Sequence, residues 1–211
     1  MDTVATVPFS STRAYLLEAR YEFLRLLRTP SFSLPCLLFP PVFYLLFGVL
    51  LGGKGGPVAA QYLLAGYGVF GVIGVALFGF GVTVALDREQ GLLTLKRAQP
   101  MPPGAYLVAK MAMALLFAAI ILLLLAALAA GVAHVQLSAA QWAAWAATCL
   151  IGVLPFSALG LWLGTLVGGR GAPALINLVY LPMAFLSGLW VPLTMLPELL
   201  QTLAPAWPAY H

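Results

Sequence analysis

The sequence predicts an all-α membrane protein. Three observations carry that expectation: 63% of its 211 residues are hydrophobic, only 8% are charged, and the mean hydropathy is +1.01. Soluble domains carry about 25% charged residues, so this chain has too few polar groups to coat a surface facing water. The apolar residues also fall in runs near the ~20 residues that a helix needs to cross the hydrocarbon core. The runs are too long for strands and do not alternate. Because a backbone in lipid must satisfy its own hydrogen bonds, each run is expected to be a helix.

Five such runs follow in order, at 32–51, 61–86, 106–133, 142–167 and 172–193, with a hydrophobic hairpin over 194–211. All belong to one domain covering 1–211. Ahead of the first run, 13–28 is amphipathic at helical spacing. Tyr15, Leu16, Ala19, Phe23, Leu26 and Leu27 are assigned to its apolar face, and Arg13, Glu18, Glu22, Arg25 and Arg28 to its polar face. Such a helix is expected to lie along a membrane interface, either as an anchor or as a lever touching a soluble partner. These early charges also exclude a secretory signal. Pro30 stops the helix and turns the chain into the bilayer. Pro40 and Pro41 in the first span, Pro155 in the fourth, and Pro182 and Pro192 in the fifth predict kinks.

Orientation follows from the basic residues. Arg13, Arg20, Arg25 and Arg28 precede the first span. Arg88, Lys96, Arg97 and Lys110 lie in or beside the link between spans two and three, and Arg170 lies between four and five. Only Lys54 falls on the other side, which places the N-terminus in the cytoplasm. The net charge of +4 therefore reflects membrane topology and not a nucleic-acid partner. Cys36 and Cys149 sit inside apolar runs and read as small buried hydrophobes.

Two phosphate-binding patterns lack their contexts. Gly66, Gly68 and Gly71 match G-x-G-x-x-G inside an apolar run with no strand before it. Gly48, Gly53 and Lys54 resemble a P-loop, but Gly55 stands where a Ser or Thr would hold magnesium. No nucleotide, metal or other cofactor is expected on this chain. Gly160, Gly164 and Gly168 recur every four residues and read as a ridge for close helix packing.

No Asp, Glu, Lys or Arg falls in the middle of any run. A charge at mid-membrane costs about 2.5–3.5 kcal/mol or more, and proton pumps and many ion-coupled carriers keep such groups for use. The spans also lack paired carboxylates, metal-ligand clusters and a Ser-His pair, so the chain is not expected to be an enzyme. His134 and His211 stand alone. An ion-coupled carrier working through backbone carbonyls and a non-transporting assembly protein remain the alternatives. Energy from outside the chain would most readily enter through the charged link Asp87-Arg88-Glu89-Gln90-Gly91-Leu92-Leu93-Thr94-Leu95-Lys96-Arg97-Ala98-Gln99-Pro100, where Leu92, Leu93 and Leu95 sit among the charges. The pattern fits either a short helix docking into a soluble partner or a solvated loop obeying the positive-inside rule.

Two segments resemble the permeases of ABC type-2 exporters. Arg88-Glu89-Gln90-Gly91-Leu92-Leu93, followed by Pro100, Pro102 and Pro103, is similar to the family's R-E-x-G-T-L link, with Leu92 in place of the commoner Thr. Leu181 through Leu193, then Met195-Leu196-Pro197 and Pro205 to His211, resembles the family's fifth helix and outer hairpin. The resemblance implies an inner-membrane subunit that dimerises with a second permease copy, identical or not. It further implies two cytosolic ATP-binding subunits, which use the ATP, and export of a hydrophobic drug, a lipid or a lipid-linked glycan. Carried over residue by residue, Arg88, Glu89, Gly91 and Leu92 would form the coupling helix, flanked by Lys96 and Arg97. Members of that family usually carry a sixth span, which this sequence is expected to lack.

Overall fold

The computed structural model describes residues 10–50, 56–99, 101–102, 104–190, 193 and 196–210. Among them the chain is helical, with no strand. Helix α1 (Ser11–Leu27) is capped by Ser10, whose Oγ accepts the Arg13 N–H at 3.5 Å. Helix α2 (Pro30–Phe43) starts on a proline, where the missing N–H has no partner to lose. Pro40 and Pro41 then withdraw two donors, and the chain continues as a π-helical stretch over Tyr44–Leu50. Helix α3 (Gly56–Gly74) likewise loosens into π-helix over Val75–Val82 before tightening into α4 (Thr83–Glu89). Next come the short α5 (Leu92–Arg97), then α6 (Ala105–Gly131) and α7 (Ala139–Leu166), the last opened by a capping box of Ser138 and Gln141. Helix α8 (Ala172–Leu186) is followed by α9 (Glu198–Leu203) and two single 3₁₀ turns, Ala204–Ala206 and Pro208–Tyr210.

Four helical segments are long and apolar enough to cross a membrane: Pro30–Leu50, Val58–Glu89, Ala105–Gly131 and Ala139–Leu166. The fifth expected span is shorter than the sequence reading made it, because α8 ends at Leu186 and not near 193. Its end is a backbone motif. Gly188 adopts φ +76°, its N–H bonds to the Phe185 carbonyl, and the Leu189 N–H bonds to the Ala184 carbonyl, both at 3.1 Å. That pair of bonds closes a helix without any change of hydropathy. The hairpin expected at 194–211 lies partly outside the described residues; over 196–210 it is α9 and the two turns, with Ala204 and Ala209 buried. Gly53 and Lys54 also lie outside them. Gly66, Gly68 and Gly71 are all within α3, where they serve packing.

The core forms around α3 and its π-helical continuation. Leu64, Tyr67, Ile73 and Leu77 meet Phe117, Ile121 and Leu125 of α6, Val153 of α7 and Ile176 of α8, all buried. Helix α7 approaches closely through glycine. A Cβ on Gly164 would lie 2.4 Å from the Gly81 carbonyl oxygen, and one on Gly160 would lie 2.9 Å from that of Ala76. Gly168 departs from the expected ridge because α7 has already ended, with Val167 extended (φ −132°, ψ 161°). It packs instead beside the Glu89 carboxylate.

The helices do not end level. Phe32, in the first turn of α2, stacks edge-on against Phe117 at 5.6 Å and lies over Gly79. Glu89 and Ala105 are each about three helical turns further along their helices. Val58–Glu89 has 32 residues and Ala105–Gly131 has 27, lengths of roughly 48 and 40 Å against ~30 Å of hydrocarbon. Their surplus forms a stalk at the α1 end. Helix α1 packs against it: Tyr15 reaches Gly104, Glu22 reaches Lys110, and Phe23 packs on Phe117 with ring centroids 5.3 Å apart.

Candidate functional site

The stalk holds a cluster of four charged side chains from three segments. Lys110 of α6 is fully buried, while Asp87 of α4 and Glu22 of α1 are 3% and 5% exposed. Lys110 Nζ lies 2.6 Å from Glu22 Oε1 and 3.0 Å from Asp87 Oδ2. Arg25 closes the ring, with Nη2 2.9 Å from Glu22 Oε1 and Nη1 3.0 Å from Asp87 Oδ1. Tyr106 donates its hydroxyl to Asp87 Oδ2 at 2.7 Å, and the Lys110 ammonium sits 5.3 Å from the centre of its ring. Two positive and two negative charges balance: Lys110 and the two acids are buried, and Arg25, 40% exposed, supplies the second positive charge from the rim. Burial alone would pull the Arg25 guanidinium down. The hydrogen bond to Asp87 and the charges of Glu22 and Asp87 outweigh it and hold the group above its ordinary value.

This arrangement corrects one sequence expectation: Glu22 does not share an outward polar face with Arg13 and Arg28. Lys110, placed in or beside the link, lies in the first turns of α6 and is buried. Helical periodicity sends every charge outward, yet here the stalk supplies a neutralising partner for each. Glu18 also turns inward and pairs with Lys96, which lies 5.3 Å from the Tyr106 ring centre. Leu16, assigned to the apolar face, is 67% exposed.

The cluster reaches the helix core through one further contact. Lys110 Nζ donates to Thr83 Oγ1 at 2.6 Å, and Thr83 Oγ1 donates back to the Gly79 carbonyl at 2.6 Å. Gly79 belongs to the π-helical stretch against which α7 packs. A chain of polar contacts therefore runs from α1 through α6 to the loosened part of the central helix.

The link residues divide between anchoring and exposure. Arg88 donates to the carbonyls of Thr165 at 2.9 Å and Val167 at 2.7 Å, capping the C-terminal end of α7. Glu89 faces Arg170 at 3.9 Å in a solvated pair of small energetic value. Gly91 has φ +72° and opens α5 from the left-handed region. Gly91→Ala is expected to cost about 1–2 kcal/mol, read as a lower thermal unfolding midpoint, even though no atom crowds that position. On α5, Leu92 and Leu93 are half-buried, whereas Leu95 and Arg97 are exposed. Lys96 alone of the α5 residues is tied by a side-chain ion pair to α1.

A second feature lies between α2, α3 and α8. A cavity of about 400 Å³ is lined by Phe39, Phe43, Phe70, Phe78, Tyr180 and Trp190 among others. Phe70 stacks on Tyr180 at 5.0 Å, and Tyr180 donates its hydroxyl to the Phe70 carbonyl at 2.9 Å. The buried Trp190 Nε1 has no acceptor among the described residues. Sequence reading missed this aromatic wall because its members are spread from Phe39 to Trp190, over α2, α3 and its π-helical continuation, α8 and the turn after it, each indistinguishable from core.

A family model described as ABC-2 type transporter matches residues 14–211. The chain is also 28% identical over 192 residues to a protein of Bacillus subtilis (strain 168) named "Putative transport permease YvfS", across 90% of this chain and 78% of that protein. No solved structure gives a significant match. With several apolar helices of spanning length and a match over nearly its whole length, the chain is a multi-pass membrane protein that belongs to the ABC-2 type transporter membrane family.

Proposed function

We propose that this chain is the permease subunit of an ATP-driven exporter in the bacterial inner membrane, with the α1 end in the cytoplasm. Two copies of a soluble ATP-binding subunit would dock on α5 and the neighbouring stalk, and a second permease copy would complete the path. The observation that carries this reading is the four-charge cluster, in which Lys110, Glu22 and Asp87 are buried and Arg25 closes the ring from the surface. It fastens α1 to α4 and α6, next to a short helix that presents Leu95 and Arg97 outward. Force applied at α5 would move α1, α4 and α6 as one body, and the Lys110–Thr83–Gly79 contacts would pass it to the π-helical stretch. The aromatic cavity fits an apolar or planar amphiphile, a class that includes hydrophobic drugs and lipids.

The test is reconstitution with the cognate ATP-binding subunit. Transport is expected only with that subunit and ATP. Leu95→Asp and Arg97→Glu are expected to weaken docking by about 2 kcal/mol or more, roughly thirtyfold in affinity, with the unfolding midpoint unchanged. Normal ATP-driven transport by both variants would refute the docking assignment, and uphill transport under an ion gradient without ATP would refute the energy source.

A further inference from the structure

Helix α1 carries two acids and three arginines, with a fourth, Arg28, at its C-cap, and the fold sorts them. Glu18 is paired with Lys96 of α5, and Glu22 with Lys110 of α6 and Arg25. Asp87 and Glu89, the other acids described at this end, are paired as well. Arg13, Arg20 and Arg28 are exposed on the outer side of α1, none with an acidic partner among the described residues. Interleaved with them are Leu16 and Tyr21, 67% and 65% exposed, and the partly exposed Leu17 and Leu27. The uncovered face of α1 is therefore cationic and apolar, with no acid.

We propose that this face is a docking surface for the headgroups of anionic phospholipids. A face meant for bulk water has no use for four exposed large apolar side chains. In an interface the apolar groups sink toward the acyl boundary while guanidinium groups reach phosphate oxygens. Continuity supports the same occupant: α1 ends at Leu27, and Pro30 begins the first spanning helix. Charge complementarity then selects among lipids, because each arginine near an anionic leaflet adds about fivefold to affinity. Lys96 and Lys110 make the surface selective indirectly, since they hold both glutamates away from it.

The experiment uses the whole chain, without any ATP-binding subunit, in nanodiscs of phosphatidylcholine or of a 3:1 mixture with phosphatidylglycerol. Amide exchange of residues 13–28 is expected to slow by about tenfold or more in the anionic discs, and 0.5 M salt is expected to remove most of the difference. Arg13→Gln, Arg20→Gln and Arg28→Gln combined should abolish it and lower the number of phosphatidylglycerol molecules retained in native mass spectrometry. Arg170→Gln, at a cation that is also highly exposed but pairs with Glu89 and not with α1, should leave both readouts unchanged. Equal exchange in both lipids would overturn the proposal. So would a difference that survives salt and the triple variant, or α1 protection that appears in neutral discs only when an acidic soluble protein is added.

Discussion

Lys110→Met is expected to destabilise the protein by about 3–5 kcal/mol, the cost of leaving a buried carboxylate without its counter-charge. Lys110 contacts both Glu22 and Asp87 and is itself fully buried. Without it, the partly exposed Arg25 is the one cation of the cluster left beside two buried carboxylates. Methionine supplies nearly the same length, so packing is little disturbed and charge is the variable. The companion variant Lys110→Met with Glu22→Gln restores neutrality and keeps the Arg25–Asp87 pair at 3.0 Å. It is expected to recover about half of the loss. Unfolding of membrane proteins is often irreversible, so both are best read as half-lives at a fixed temperature in one detergent. An unchanged half-life for Lys110→Met would mean that the cluster does not fasten α1. Equal loss in both variants would assign the damage to shape and not to charge.

The four long helices were legible because length and hydropathy are summed over many residues. The runs read at 32–51, 61–86, 106–133 and 142–167 lie along Pro30–Leu50, Val58–Glu89, Ala105–Gly131 and Ala139–Leu166. The end of α8 was not legible, because Ser187 and Gly188 interrupt the backbone inside an unbroken apolar run. The cluster was hidden for a different reason. Arg25 and Asp87 are 62 residues apart in sequence, and an amphipathic pattern reports one average direction for a helix. It sees that Glu22 is charged, but not that another helix brings it a lysine. The surplus length of Val58–Glu89 was the available signal: a segment too long for the bilayer must place its charged end in a protein stalk or in water.

Gly164→Ala should show how closely α7 must sit against the π-helical stretch. The added Cβ would lie 2.4 Å from the Gly81 oxygen and 3.1 Å from its carbonyl carbon. Both are backbone atoms, so no rotamer change relieves the clash and the two helices must separate. The reciprocal contact, a Cβ on Gly81 at 2.5 Å from the Gly160 oxygen, leaves no slack on the other side. A loss of about 1–3 kcal/mol is expected. Gly152→Ala adds the same methyl to the same helix where nothing lies within 4 Å, and should gain about 0.5–1 kcal/mol through the lower entropy cost of a helical alanine. One chemical change thus carries opposite signs about three turns apart along α7. Equal midpoints for the two variants would mean that the glycine contact is not this close. Because Gly79, the acceptor of Thr83, lies in the stretch that Gly164 touches, separation there should also loosen the path from Lys110. Activity of Gly164→Ala is therefore expected to fall further than its stability alone would require.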